Sequence, residues 1–446
     1  MKHSSVLLVC CAAFASTAAA QLSNYLGPGI LTNGAGDIGN RGGEQVDLRL
    51  YADVNAIYDN GLQPFSVDSK GNLVQVGGLY GIEGMVGVYG SHMWRTGLLG
   101  LDFRGDFRHY PGNSYYDGSD QYLSIGYTLQ KSKRLYFDLR GTGSTYSNYI
   151  GAVPGDSFAP SSATPNAVNP ASLAVFDTRT DYLQGSAGMT YLFTPRLSLT
   201  LSGQAFWVHY QAAQLVGVDG YGAAARLRYR LTRTATIGGG YSRSYFEYPN
   251  YFGNADFDLY TIYFSKQMSR LWTFTAEGGA YHVNVLGLQT VALTPEVADL
   301  LGVSTSIQTY QASNWLPSIS AQLSRKFKTG GLSFIYTNGT APGNGVYLAS
   351  RSQQGNAVYS YTGIRRASLS VSAGYWSMSS LGQDIPPYRS FTGGAGLTYT
   401  LGRALHAVAR YDARHQDVTI ANYRATSYRV SLGLAFSPGA IPLSLW

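Results

Sequence analysis

Asp102, Arg104, Asp106 and Arg108 follow one another at every second position with alternating sign, and Arg410, Asp412 and Arg414 repeat the alternation near the other end of the chain. A spacing of two puts side chains on one face of an extended strand. Each set is therefore a row of charges that can pair with neighbouring strands and brace a wall. Arg226, Arg228 and Arg230 form a row of the same spacing with no acid of its own. A guanidinium fork suits carboxylate, phosphate or sugar-acid groups. The rows thus have two readings: a salt-bridged wall, or a field that favours anionic or hydroxyl-rich solutes. Asp47, Arg49, Asp53, Glu83, Asp138, Arg140 and Glu277 belong to the same inward-facing pattern.

Other chemistries find little support. His92, His109, His209, His282, His406 and His415 stand apart, no two at ligand spacing with a carboxylate, so no metal site is expected. His415 and Asp417 could serve as an acid–base pair, but any polar loop offers such a pair, and no catalytic residue is assigned. Gly34-Ala35-Gly36-Asp37-Ile38-Gly39 matches GxGxxG. It lacks the strand before and the helix after that a dinucleotide site needs, so no cofactor is expected.

The elements that hold the charged rows are strands. Val46, Leu48, Leu50, Ala52, Val54 and Ala56 alternate with Asp47, Arg49, Tyr51, Asp53 and Asn55, a period of two that gives a strand two different faces. The pattern returns with Leu99, Leu101, Phe103 and Phe107 opposite Asp102 to Arg108. It returns again with Tyr221 to Leu231 opposite the arginine row, and closes with Val430, Leu432 and Leu434. About 18 such segments are expected, within a range of about 16 to 18. Short turns fall near Arg95-Thr96, Lys131 to Arg134, Thr194 to Arg196, Thr232-Arg233, Lys266 to Arg270, Lys326 to Gly330, Arg365-Arg366 and Gly402-Arg403. Long loops separate the other strand pairs, among them Ile150 to Arg179 and Val283 to Asn314.

Composition agrees. Only 13% of the 446 residues are charged, yet the mean hydropathy is −0.09. Gly (54) and Tyr (36), with Ser and Thr, replace the missing charge. Past the N-terminus no apolar run is long enough for a membrane helix, and the hydrophobic content, 45%, is too high for a disordered chain. The net charge of +7 is scattered rather than run together, which excludes a nucleic-acid footprint. Met1 to Ala20 reads as a signal peptide with cleavage after Ala20: Lys2 and His3 begin it, Val6 to Phe14 is its apolar run, and Ala18-Ala19-Ala20 precede the cut. Cys10 and Cys11 allow a lipoprotein reading as an alternative, although the residue before Cys10 is bulky. Residues 21–43 are Gly-rich and lack alternation, and read as a flexible leader before a domain spanning 44–446.

Taken together, the alternation, the short/long rhythm of connections, the export signal and the terminal Trp446 resemble the Gram-negative outer-membrane β-barrels of porin type. The resemblance is architectural and covers residues from about 44 onward. It implies an all-β fold: a single transmembrane antiparallel up-and-down barrel with short periplasmic turns and long extracellular loops. It implies a bacterial outer-membrane location, lipid as a partner, and passive or partner-gated passage of small polar solutes, not enzyme activity. The alternative is the exit barrel of a polysaccharide export system docked to a periplasmic partner through residues 21–43 or the turn lysines Lys131, Lys133, Lys266, Lys326 and Lys328. Tyr80, Trp94, Tyr127, Tyr191, Trp207, Tyr229, Trp272 and Tyr399 fit aromatic girdles. Thr294 to Gly302 reads as a short helix, with Pro295 in its first turn. Ser437 to Leu445 departs from the pattern, because two prolines separate the last clear strand from Trp446.

Overall fold

The computed structural model describes residues 47–60, 66–67, 73–74, 77–112, 116–146, 179–211, 215–249, 251–292, 296, 299, 302–341, 349–381, 387–402, 404–418, 423–437 and 440–442. The signal peptide, the leader at 21–43, the GxGxxG segment and most of Ile150 to Arg179 lie outside the described residues. Eighteen long strands follow one another: β1 (Asp47–Asn60), β2 (Leu79–Met93), β3 (Gly97–His109), β4 (Gly118–Gln130), β5 (Leu135–Tyr146) and β6 (Thr180–Leu192). Then come β7 (Leu197–Tyr210), β8 (Val218–Arg230), β9 (Ala235–Glu247), β10 (Asn254–Gln267), β11 (Trp272–Ala292) and β12 (Thr305–Phe327). The series ends with β13 (Gly330–Ala341), β14 (Ser350–Ile364), β15 (Ala367–Ser380), β16 (Tyr388–Thr400), β17 (Leu405–Val418) and β18 (Tyr423–Phe436).

Each strand pairs antiparallel with the next, and β18 pairs with β1 from Ala52↔Phe436 to Asn60↔Tyr428, so the sheet closes on itself. Followed pair by pair around the barrel, the register returns to β1 about 22 residues further along. That shear implies a strand tilt of about 40° and a backbone radius of about 17 Å. The barrel is a closed, antiparallel, up-and-down sheet of 18 strands.

The connections are local chemistry. At four of the tight turns a hydroxyl accepts backbone N–H groups: Ser132 Oγ from Arg134 and Leu135 (3.2 and 3.1 Å), Thr194 Oγ1 from Arg196 and Leu197 (3.2 and 2.9 Å), Thr232 Oγ1 from Thr234 (3.2 Å), and Ser269 Oγ from Leu271 and Trp272 (3.2 Å each). Such side-chain acceptors mimic a backbone turn and fix where one strand stops and the next begins. All the tight turns lie at one rim and the longer connections at the other. On the β3–β4 loop, Asp117 accepts from the Tyr110 N–H and meets His109 Nδ1, both at 2.7 Å. These bonds hold its carboxyl below the usual carboxylate range.

Two expectations change. Val283 to Asn314 is not one long loop: β11 and β12 run 21 and 23 residues and stay paired up to Ala292↔Thr305. Val283, Val285, Thr305 and Ile307 are β-branched residues at strand spacing, and they carry the hairpin past the rim. Within the remaining connection Glu296 and Asp299 are helical and Gly302 has φ +66°, the left-handed conformation in which a helix ends. The terminal segment also resolves. Ala440–Pro442 pairs with Asp47–Arg49 as a short continuation beyond β18.

The seam between β18 and β1 depends on Gly433. A Cβ there would run into the Val54 carbonyl and the Asn55 side chain. Gly433→Val is expected to destabilise the closed barrel by about 1–3 kcal/mol, seen as a lowered urea midpoint for loss of the compact form that resists SDS without heating.

Candidate functional site

Alternation gives the barrel two surfaces of opposite chemistry. Val54, Ile82, Leu139, Leu183, Ile262 and Leu432 are exposed on one face. Asp53, Glu83, Arg108, Arg226, Asp412 and Arg429 are buried on the other. The second face is the concave one, because side chains from non-adjacent strands meet there. Arg226 of β8 reaches Glu277 of β11 at 3.3 Å, and Arg429 of β18 reaches Glu83 of β2 at 2.6 Å across β1.

The inward charges fall into two groups. The larger spans β17, β18 and β1 to β4. Arg429 bridges Glu83 (2.6 Å) and Asp59 (3.7 Å), and the Tyr110 hydroxyl donates to Asp59 (2.7 Å). Arg108 pairs with Asp120 of the neighbouring strand at 2.9 Å and lies 3.9 Å from Asp106. Asn55 donates to Asp53 at 3.0 Å. Arg104–Asp102 and Arg410–Asp412, both 2.6 Å, pair along a single strand. The alternating rows were expected to pair between strands, and here two positions along one strand suffice for a long guanidinium to fold back.

The second group sits on β8 to β11: Arg226 on Glu277, Arg228 with its guanidinium 5.0 Å from the centre of the Tyr263 ring, and Arg230 donating to the Pro195 carbonyl at 2.9 Å near the turn rim. Asp138, Arg140 and Arg414 lie on the inward face of β5 and β17 outside these two knots, with Arg140 exposed. The side chains of Asp47 and Arg49 lie outside those described.

Sequence reasoning placed Asn55 on this face but missed Asp59, Tyr110, Asp120 and Arg429. For Arg429 the signal was present, since it stands one place from Val430 and takes the face opposite Val430, Leu432 and Leu434.

One expectation fails on this wall. Apolar residues were taken to occupy one face per strand, leaving Gly, Ser, Thr and charges inside. On β7 to β11, Phe206, Val208, Phe246, Phe257, Leu259, Tyr281 and Val283 are buried on the inward face near the loop rim. Loop residues Leu215, Val216, Tyr251 and Leu381 pack against them. Connections that fold over the rim take water away from that part of the wall, and an inward apolar face is then the stable choice. The inner wall near the loops is therefore apolar on one side and ionic on the other. Among the described residues no group of three or more His, Cys, Asp or Glu side chains could hold a metal.

The outer face is ordered as well. Aromatic pairs mark both ends of the apolar zone: Trp94–Tyr127 and Tyr191–Phe193 toward the turns (6.3 and 5.1 Å between ring centres), Tyr58–Tyr80 and Tyr375–Phe391 toward the loops (4.8 and 5.0 Å). This is the architecture of a porin-type barrel.

No family model matches the chain, and no curated protein sequence is similar to it. Solved structures are similar to it in overall plan. Pseudomonas aeruginosa OccK9 (OpdG) is 13% identical, with 88% of this chain and 98% of that chain covered at a TM-score of 0.41. A BenF-like porin from Pseudomonas fluorescens Pf-5 is 10% identical over 88% and 98%, TM-score 0.41. Pseudomonas aeruginosa OccK2 (OpdF) in complex with glucuronate is 11% identical over 88% and 98%, TM-score 0.40.

Proposed function

We propose that the chain is an outer-membrane channel that passes small polar solutes and prefers anionic, hydroxyl-rich ones. One observation carries this reading: a closed 18-strand sheet presents an apolar outer face bounded by aromatic rims and a charged inner wall. A sheet without edges satisfies its backbone internally, which lipid requires. An exposed apolar surface running around the whole barrel exceeds what a water-facing protein tolerates. At this strand count the interior is wide enough for an aqueous path. The preference for anions rests on Arg226, Arg228 and Arg230, which face Glu277 as the one acid paired with them among the described residues.

Planar-bilayer recording tests it. The folded chain is expected to conduct and to show an anion-selective reversal potential. The triple variant Arg226→Gln/Arg228→Gln/Arg230→Gln is expected to lose most of that selectivity, and Glu277→Gln to raise it. A sugar carboxylate such as glucuronate should block small-ion current in the parent more than in the triple variant. A folded, inserted barrel that carries no current would sink the proposal.

A further inference from the structure

The outer face near the loop rim is polarised, and neither the apolar zone nor the inner wall accounts for this. On β14 to β18 its charges are Arg351, Arg389, Asp417 and Arg424, with His415 beside them. These are the outward charges of that sector toward the loops among the described residues. Arg389 and Arg424 are each the cross-strand partner of Asp417, on its two sides, and Arg424 donates to it at 3.2 Å. Arg351 stands opposite Ser379 while Arg389 stands opposite Ser377, so the three arginines lie along one edge. Arg424 keeps 77% of its side chain exposed despite its contact with Asp417.

About half-way round the barrel, on β8 to β10, the same zone carries the opposite sign. Asp219, Glu247, Asp256 and Asp258 lie there with one cation, Arg243, 3.0 Å from Asp256.

The basic edge sits directly above aromatic side chains. Phe391 is two places from Arg389 toward the turns and packs on Tyr375, and Tyr428 packs on Tyr411 and Tyr58. Aromatic rings of this kind mark the boundary between acyl chains and headgroups. By register Arg389 and Arg424 stand two residues above the level of Phe391 and Tyr375, and Arg351 four above it, which puts the arginines at headgroup height. A guanidinium binds a phosphate with two parallel hydrogen bonds, which a point charge cannot do.

We infer that the β14–β18 edge, through Arg351, Arg389 and Arg424, binds the phosphate of an anionic lipid headgroup, on one side of the barrel only. The inference rests on the membrane reading above.

The test uses the full chain, folded and inserted in phosphatidylcholine nanodiscs doped with phosphatidic acid, which presents a bare phosphate on an acyl-chain anchor. Lipid retained on release is counted by native mass spectrometry. The parent is expected to retain phosphatidic acid over phosphatidylcholine. Arg351→Gln/Arg389→Gln/Arg424→Gln should reduce that retention about tenfold or more, since charge-assisted hydrogen bonds are the strong ones. Asp256→Asn/Asp258→Asn should leave it unchanged. The lysine triple, which keeps the charge and loses the fork, should fall between the two and guards against a folding defect in the glutamine triple.

Equal retention by parent and glutamine triple overturns the inference. So does full displacement of the lipid by inorganic phosphate, which would make this a free-phosphate site. A dimer lost in both the arginine and the aspartate variants would overturn it in favour of copies pairing through their opposite charges. Failure of the membrane reading is seen separately, as a chain that never enters the nanodisc.

Discussion

Arg429→Met is expected to cost the folded barrel about 3–5 kcal/mol, the penalty for leaving buried charge without its partner. Arg429 is 3% exposed and lies between Glu83, 2.6 Å away, and Asp59, 3.7 Å away, both of them buried. Met fills much of the volume and leaves both carboxylates facing each other. The urea midpoint of the inserted barrel, followed by tryptophan fluorescence, should fall accordingly.

Removing a second charge separates two explanations. In Arg429→Met/Glu83→Met the buried charges leave together, and Asp59 keeps the hydroxyl of Tyr110 at 2.7 Å. If charge imbalance is the cause, this double variant should be more stable than Arg429→Met alone. If lost packing is the cause, it should be worse. Arg424→Ala provides the scale: its partner Asp417 is at 3.2 Å, yet Arg424 is largely exposed on the outer face, and a change below about 1 kcal/mol is expected.

The architecture was legible because its signal repeats. A single alternating segment, such as Leu123 to Leu129, is weak evidence for a strand. Its recurrence with a tight turn at every second connection leaves closure of one large meander as the simplest solution. The turns were readable for a local reason as well, since Ser132, Thr194 and Ser269 hold their turns with their own hydroxyls.

What alternation cannot supply is which inward residues meet. Asp59 and Arg429 are 370 positions apart in sequence, and only the closing register Asp59↔Arg429 makes them neighbours. Phe206, Phe246 and Phe257 were hidden for a different reason. Period two assigns a side chain to a face but does not say whether that face is wet, and folded connections dry part of the inner wall at the loop rim. The same limit held for β11 and β12: the start of β12, Thr305 to Asn314, is uncharged and rich in Ser, Thr and Gln, and reads equally well as loop.

Ile262→Arg is expected to cost about 2–4 kcal/mol in a bilayer, the penalty for a guanidinium at mid-depth on a barrel's lipid face. Ile262 is 68% exposed on the outward face of β10. That face already marks its own boundaries: Asp256 and Asp258 lie toward the loops, Lys266 toward the turns, and Tyr260, Ile262 and Phe264 between them. From Asp258 to Lys266 the tilted strand climbs about 20 Å, close to the height of an outward apolar band. The penalty should therefore depend on depth. Tyr260→Arg, nearer the loop-side boundary, should cost less than Ile262→Arg. On a barrel surrounded by water Ile262→Arg would fall within about 0.5 kcal/mol of the parent, as ordinary surface changes do, and Tyr260→Arg would be the costlier of the two through its lost ring contacts with Tyr241 and Trp315. Urea titrations of the three proteins in vesicles of one composition decide between these outcomes. A graded loss in which Ile262→Arg exceeds Tyr260→Arg requires a low-dielectric slab centred near Ile262, because the ring contacts of Tyr260 with Tyr241 and Trp315 would on their own give the opposite order.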